Sequence, residues 1–302
     1  MKQKLFSHLS AAIGAVTHRP FAACAATPAG GGSINQTFRL EGTDGERYFL
    51  KLNDAAHLPM FVAEVAGLDA LAATNTLRVP QTIAHGIAGE QSYLVLEYLE
   101  LGLRGDDPLL GAQLAALHRC KGKAFGFSRD NFIGSTPQPN GWRDNWVDFW
   151  REHRLGFQLQ LAAQKGLGGQ LQNLGGKLLD CLPAFFEGYA PQPSLLHGDL
   201  WSGNHAFTAH GAPAIFDPAV YYGDRECDIA MTELFGGFPA SFHASYRAAW
   251  PLHAGYETRR DLYNLYHILN HANLFGGGYV RQAEQMLLQL LVKVERPAPG
   301  HH

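Results

Sequence analysis

Leu195–Asp228 reads LLHGDLWSGNHAFTAHGAPAIFDPAVYYGDRECD, and the fold assignment starts from it. Two apolar residues lead into His197, Gly198 and Asp199, and Asn204 follows Asp199 by five positions. A short hairpin pattern comes next. Ala206 and Phe207 form one half, His210-Gly211 the turn, and Ala214 to Phe216 the return. Asp217 closes it and is followed directly by a proline.

A hairpin of that length brings Asp217 back beside Asn204. Together they offer hard oxygen ligands, which suit Mg²⁺ holding phosphates. Asp199 sits on the same loop, free to accept a proton from an attacking hydroxyl, and needs no raised pKa to do so. Protein kinases carry the same set: a catalytic-loop Asp and Asn, then a metal-binding Asp on a hairpin. The tripeptide HGD alone would be weak evidence; the Asn spacing and the Asp-Pro after a hairpin give it weight. His197 reads as a residue that shapes the loop. Trp201, two residues from Asp199, is either core or a flat indole able to stack on a sugar ring.

The motif HGDxxxxN is shared by kinase-like proteins that include aminoglycoside phosphotransferases and choline kinases. The fuller text, HGDLWSGN followed by FDPAVYYGDRECDIAM, resembles the fructosamine kinase, or ketosamine-3-kinase, family. The Trp201-Ser202-Gly203 insert and the YYGDRE run distinguish that family, and the resemblance extends from the glycines near residue 30 to about Gly278. It implies an α+β, two-lobed, protein-kinase-like fold, with a small β-rich N-terminal lobe and a larger, mainly helical C-terminal lobe. It implies ATP and Mg²⁺ as cofactors and phosphorylation of the O3 hydroxyl on the sugar of ketosamines such as fructosamine or ribulosamine adducts. These adducts form from reducing sugars and amines. The acceptor would be a small ketosamine or a glycated protein lysine, and the outcome deglycating repair. The resemblance also gives the backbone of Glu97 and Leu99 the adenine edge, turns Trp201 to the acceptor, and makes Asp228 an acceptor for catalytic-loop N–H groups. Two alternatives stay open: another small acceptor such as an aminoglycoside or amino sugar, or a non-catalytic nucleotide-binding module. The presence of Lys51, Asp199, Asn204 and Asp217 argues for activity.

The rest of the chain fits two lobes, residues 1–100 and 101–302. Its 302 residues are 46% hydrophobic and 17% charged, with net charge −3 and no Lys/Arg run, which gives no sign of nucleic-acid binding. Four scattered cysteines without CxxC suit reduced thiols in a cytoplasm. Leu5, Phe6, Leu9, Ile13 and Val16 recur at helical spacing and no stretch reads as a membrane span. Gly31, Gly32 and Ser33 belong to a turn whose N–H groups can approach a phosphate. Lys51 lies on a returning strand, placed to reach the same phosphates. Glu64, off the apolar stripe of the helix Leu58 to Leu71, is expected to pair with Lys51. Tyr93 to Glu97 reads as a buried strand, leading to a hinge at Tyr98 to Glu100. Residues 121–145 form a long loop that either walls the acceptor cleft or packs on its lobe. Helices are expected over Trp146 to Gln164, Gln170 to Phe186, Asp224 to Leu234, Arg259 to Phe275 and Tyr279 to Val294. His267 and His271 mimic a metal pair, but Ile268 replaces the Glu of HExxH, so a packed pair is expected.

Overall fold

The computed structural model describes residues 2–30 and 34–295. Gly31, Gly32 and Ser33 lie outside the described residues. Strands β1 (Ala23–Pro28), β2 (Gln36–Gly42), β3 (Arg47–Asp54), β4 (Thr82–Ala88) and β5 (Gln91–Glu97) form one antiparallel sheet in the order β1-β2-β3-β5-β4. Side chains alternate across it as the pleat requires. Tyr48, Leu50, Leu52, Tyr93 and Val95 pack toward Leu9 and Ile13 of helix α1 (Lys2–Thr17). Leu94 and Leu96 face the other way, toward Phe61 and Leu68 of helix α2 (Leu58–Ala72). Lys51, next to Leu50 on β3, therefore falls on the α2 face. Strand β4 was not foreseen; its residues are half-buried and lack a clean apolar alternation.

Residues 55–72 correct one expectation. They are long and apolar enough to cross a membrane by length and composition, with mean hydropathy 1.3. In the fold, Phe61, Ala63, Gly67, Leu68 and Leu71 are buried against the sheet and its neighbours, and Glu64 is held by an ion pair.

After β5 the chain leaves the sheet. β6 (Leu101–Gly102) pairs with the hairpin strand β10 (His205–Thr208) of the second lobe. Helix α3 (Asp107–His118) is capped by the Asp106 side chain, which accepts from the Leu109 N–H at 2.8 Å. The long loop holds a small hairpin, β7 (Asn131–Ile133) and β8 (Thr136–Gln138). Helices α4 (Trp146–Trp150) and α5 (Gly156–Gln164) are one rod interrupted by a π-turn at Arg151–Leu155, and α6 (Gln170–Cys181) runs into a 3₁₀ turn at Leu182–Phe186. β9 (Ser194–Leu196) pairs with β12 (Tyr221–Gly223), and β11 (Pro213–Ile215) completes the central hairpin. Helices α7 (Glu226–Thr232), α8 (Ala240–Ala249), α9 (Tyr256–Phe275) and α10 (Gly278–Glu295) close the lobe. Helix α7 is shorter than expected at both ends, and α8 was not foreseen. Together the sheet lobe and the helical lobe make the α+β, two-lobed, protein-kinase-like fold. One apolar cluster runs through both, from α2 and β5 into α3, α7 and α8.

Candidate active site

Strand β9 ends at Leu196 and delivers the HGD loop. Gly198 has φ +83°, and a Cβ there would stand 2.0 Å from the Ala219 carbonyl oxygen, so only glycine passes. Asp228 fixes this bend from below. Its Oδ2 and Oδ1 accept the N–H groups of His197 and Gly198 at 2.7 and 2.8 Å. Burial works against the Asp228 charge, but the His118 hydrogen bond at 3.1 Å and the loop N–H groups outweigh it and lower the pKa. Asp228 thus acts as expected. The His197 ring links Nε2 to the Phe216 carbonyl at 3.0 Å and its Nδ1 to the Asp199 N–H at 3.3 Å. Burial lowers its pKa and keeps it neutral. Both bonds are structural, as its place in the loop suggested.

Asn204 Nδ2 donates to the Asp199 carbonyl at 2.9 Å and to Asp199 Oδ2 at 3.3 Å, and the Phe216 N–H returns to the Asn204 carbonyl at 3.1 Å. The hairpin therefore seats Asp217 beside Asn204, whose Nδ2 also approaches the Asp217 carbonyl at 3.4 Å. Asp217 has φ +57°, a left-handed conformation uncommon for a non-glycine residue and characteristic of functional sites. Burial first, then Asp217 and Asp228, raise the Asp199 pKa to about 7. The sequence reading had asked for no such shift.

Lys51 Nζ bonds Glu64 Oε1 at 2.6 Å and Asp217 Oδ1 at 2.5 Å. The pair with Glu64 was expected; the second carboxylate was not. Burial opposes the ammonium charge, but Asp217 and Glu64 prevail and raise the pKa. Lys51, Glu64, Glu97, Leu99, Asp199, Trp201, Asn204 and Asp217 all line one cleft of about 1170 Å³. Glu97 turns its carboxylate to Arg78 and the Gln81 N–H, and its own N–H donates to the Gln81 carbonyl at 2.8 Å. Gly30 also reaches the cleft, whereas the other glycine-turn residues named from sequence lie outside the described residues. Trp201 is 38% exposed. Its indole folds over Gly203, where a Cβ would stand 2.4 Å from the ring.

The loop 121–145 divides its work. The tip of its hairpin, residues 131–135, lines the cleft. The Thr136-Pro137-Gln138-Pro139-Asn140 segment instead packs inward. Gln138 and Asn140 donate to Asn131 Oδ1 at 2.7 and 2.9 Å, and Asn131 and Gln138 donate to the Val220 and Ala219 carbonyls, bracing the chain just after Asp217. Arg154, wholly buried on the π-turn, donates to Asn140 at 2.8 Å and lies 3.9 Å from the Tyr221 ring centroid. Sequence reasoning missed this brace, and also missed the wall that α9 gives the cleft. His267, Asn270, His271 and Leu274 recur there at i, i+3, i+4 and i+7, a spacing visible in the sequence and pointing to one helix face.

With this geometry established, likeness to known proteins adds the family. The fructosamine kinase family model matches residues 5–293. A Synechocystis sp. protein provisionally named a ketoamine kinase is 51% identical over 283 residues, covering 92% of this chain and 94% of that one. The chloroplastic protein-ribulosamine 3-kinase of Arabidopsis thaliana is 43% identical over 262 residues, covering 85% of this chain and 80% of that one. The crystal structure of a provisionally identified fructosamine-3-kinase from Haemophilus somnus superposes with a TM-score of 0.86 at 29% identity, covering 95% of this chain and 99% of that one. The chain belongs to the fructosamine kinase family.

Proposed function

We propose that this enzyme transfers the γ-phosphoryl group of ATP to the O3 hydroxyl of a ketosamine sugar, on a free amine or a glycated protein lysine, as a step in deglycation. The observation that carries the reading is the meeting of Lys51, Glu64, Asp199, Asn204 and Asp217 in one cleft. Family membership and the activities for which the relatives are named support it. The wall that α9 offers the acceptor carries no carboxylate, which suits a neutral sugar better than a polycationic aminoglycoside.

Lys51, held by Glu64, is placed to hold ATP phosphates, with the backbone of Glu97 and Leu99 on the adenine edge and Gly31, Gly32 and Ser33 over the phosphates. Asp217 Oδ2 and Asn204 Oδ1 have no hydrogen bond among the described residues, so this oxygen pair fits Mg²⁺. A bound Mg²⁺ would neutralise phosphate charge. Asp199 orients the acceptor hydroxyl and takes its proton; the raised pKa brings it near the operating pH of a general base. Trp201 offers a ring face to the sugar. We place the lobe boundary between residues 100 and 101 and the enzyme in the cytoplasm; all four cysteines are free, which agrees with a reducing compartment.

The deciding experiment is turnover of MgATP with fructosyl- and ribulosyl-lysine, with product position read by NMR. No phosphorylation of either would overturn the proposal. Two variants test its halves. Lys51→Met should lower kcat/KM for ATP by about 10- to 100-fold, the usual worth of a charge-assisted hydrogen bond. A wild-type value would detach Lys51 from the nucleotide. Trp201→Ala should raise KM for the ketosamine while leaving KM for ATP unchanged. Equal damage to both substrates would return Trp201 to a packing role.

A further inference from the structure

His267 is 5% exposed, lines the cleft, and its ring makes no hydrogen bond among the described residues. Neither ring nitrogen is among the fully buried, unpaired polar atoms of the described residues, so both are open to the cleft. The metal-like spacing with His271 does not explain it. The His271 ring is engaged through Nδ1 with the His267 backbone carbonyl at 2.8 Å and packs among Phe235, Phe275 and Tyr279. No cluster of three or more metal-ligating side chains exists among the described residues. Burial first, then the nearby His271 and Arg154, lower the His267 pKa to about 3, so the ring is neutral. A neutral imidazole presents one donor and one acceptor, which matches a hydroxyl. Among the described residues, the Asn270 side chain, one turn along the same face, is held only by two long contacts of 3.4 Å, to Gln158 and to the Ile133 carbonyl. The rest of the α9 wall, His271 aside, is Leu274 and Phe275. Aromatic faces with a few neutral polar groups between them are what a sugar needs from a pocket.

We propose that His267 is a specificity-determining residue that hydrogen-bonds a hydroxyl of the acceptor sugar other than the one phosphorylated, with Asn270 as its neighbour in that contact. This rests on the ketosamine reading above.

The test is a cycle between enzyme and substrate. Wild type, His267→Phe and His267→Gln are assayed with saturating MgATP on fructosyl-lysine and on analogues lacking one non-reacting hydroxyl at a time. One analogue should cost the wild type about 10- to 100-fold in kcat/KM, because it leaves a buried ring unpaired. The same analogue should cost His267→Phe less than about twofold, since the partner is already gone. His267→Gln keeps a donor and an acceptor. It should retain at least about fivefold discrimination, and it decides the matter if the Phe variant does not fold. KM for ATP should be unchanged in both. Equal losses in wild type and variants, or no loss in the wild type for any analogue, overturn the inference alone. Failure of the wild type to turn over fructosyl- or ribulosyl-lysine overturns the functional reading and this inference with it.

Discussion

Asp199→Asn should bind MgATP as the unmutated enzyme does and lose roughly 10² to 10⁴ in kcat, the usual contribution of a positioned general base. The substitution keeps shape, and an amide oxygen at the same place can still accept from Asn204 Nδ2, now 3.3 Å from Oδ2. It also removes the one negative charge that Asp217 and Asp228 disfavour, so lost turnover cannot come from added repulsion. Asp217→Asn should behave in the opposite way. It weakens an oxygen ligand and takes the negative charge from the 2.5 Å bond to Lys51, so metal and nucleotide binding should fall together. Calorimetric titration of MgATP into both variants, paired with steady-state rates, separates the roles. Near-normal turnover by Asp199→Asn would end the kinase reading of the central loop. Tight MgATP binding by Asp217→Asn, with none by Asp199→Asn, would exchange the two assignments.

Arg259→Met should lower folding stability by about 3–5 kcal/mol at neutral pH, the usual cost of breaking a buried ion pair from one side. Arg259 is 2% exposed and meets Glu226, wholly buried, through two bonds of 2.7 and 3.1 Å. Its guanidinium also lies 3.9 Å from the Tyr189 ring centroid. Without it, Glu226 is left buried beside Asp224. Burial, then Asp224, already push the Glu226 pKa up to about 7. A carboxyl whose folded pKa exceeds its unfolded value contributes stability below the unfolded pKa and loses it as pH rises through the folded one. Removing the cation strengthens that trend. The deficit of Arg259→Met against wild type should therefore be larger at pH 8 than at pH 5.5, as measured by urea melts. A deficit independent of pH would mean that Glu226 finds another cation.

The central loop was legible because its parts are close in sequence. The five-residue step from Asp199 to Asn204 and the hairpin to Asp217 encode their own proximity. Lys51 and Glu64 could be paired because a strand and the following helix are adjacent by default. Contacts that close over long sequence distances were not legible. The 166-residue separation between Lys51 and Asp217 hid their ion pair, and with it the reason Lys51 is more than a replaceable strand residue: its loss leaves Glu64, which burial already pushes toward protonation, without a cation. The same holds for the inward-facing Gln138 and Asn140, whose partners come from the chain after Asp217. Helix α8 buries only Phe242 and Tyr246, too few apolar positions to announce it, and the sequence left the role of Arg225 undecided, since Trp250 and Pro251, which meet it in the fold, lie 25 and 26 residues further on.

The Asp228 carboxylate has a kinetic consequence. The His197 and Gly198 amide hydrogens end on a buried group that His118 also holds, and His118 is tied in turn through Tyr246 to Arg225. No local fraying can release them without opening α3, α7 and α8 together. In deuterium exchange these two amides should therefore be among the slowest in the chain, exchanging at the rate of global unfolding. Activity and native structure should then disappear over the same range of denaturant, because the loop has no softer unfolding step of its own.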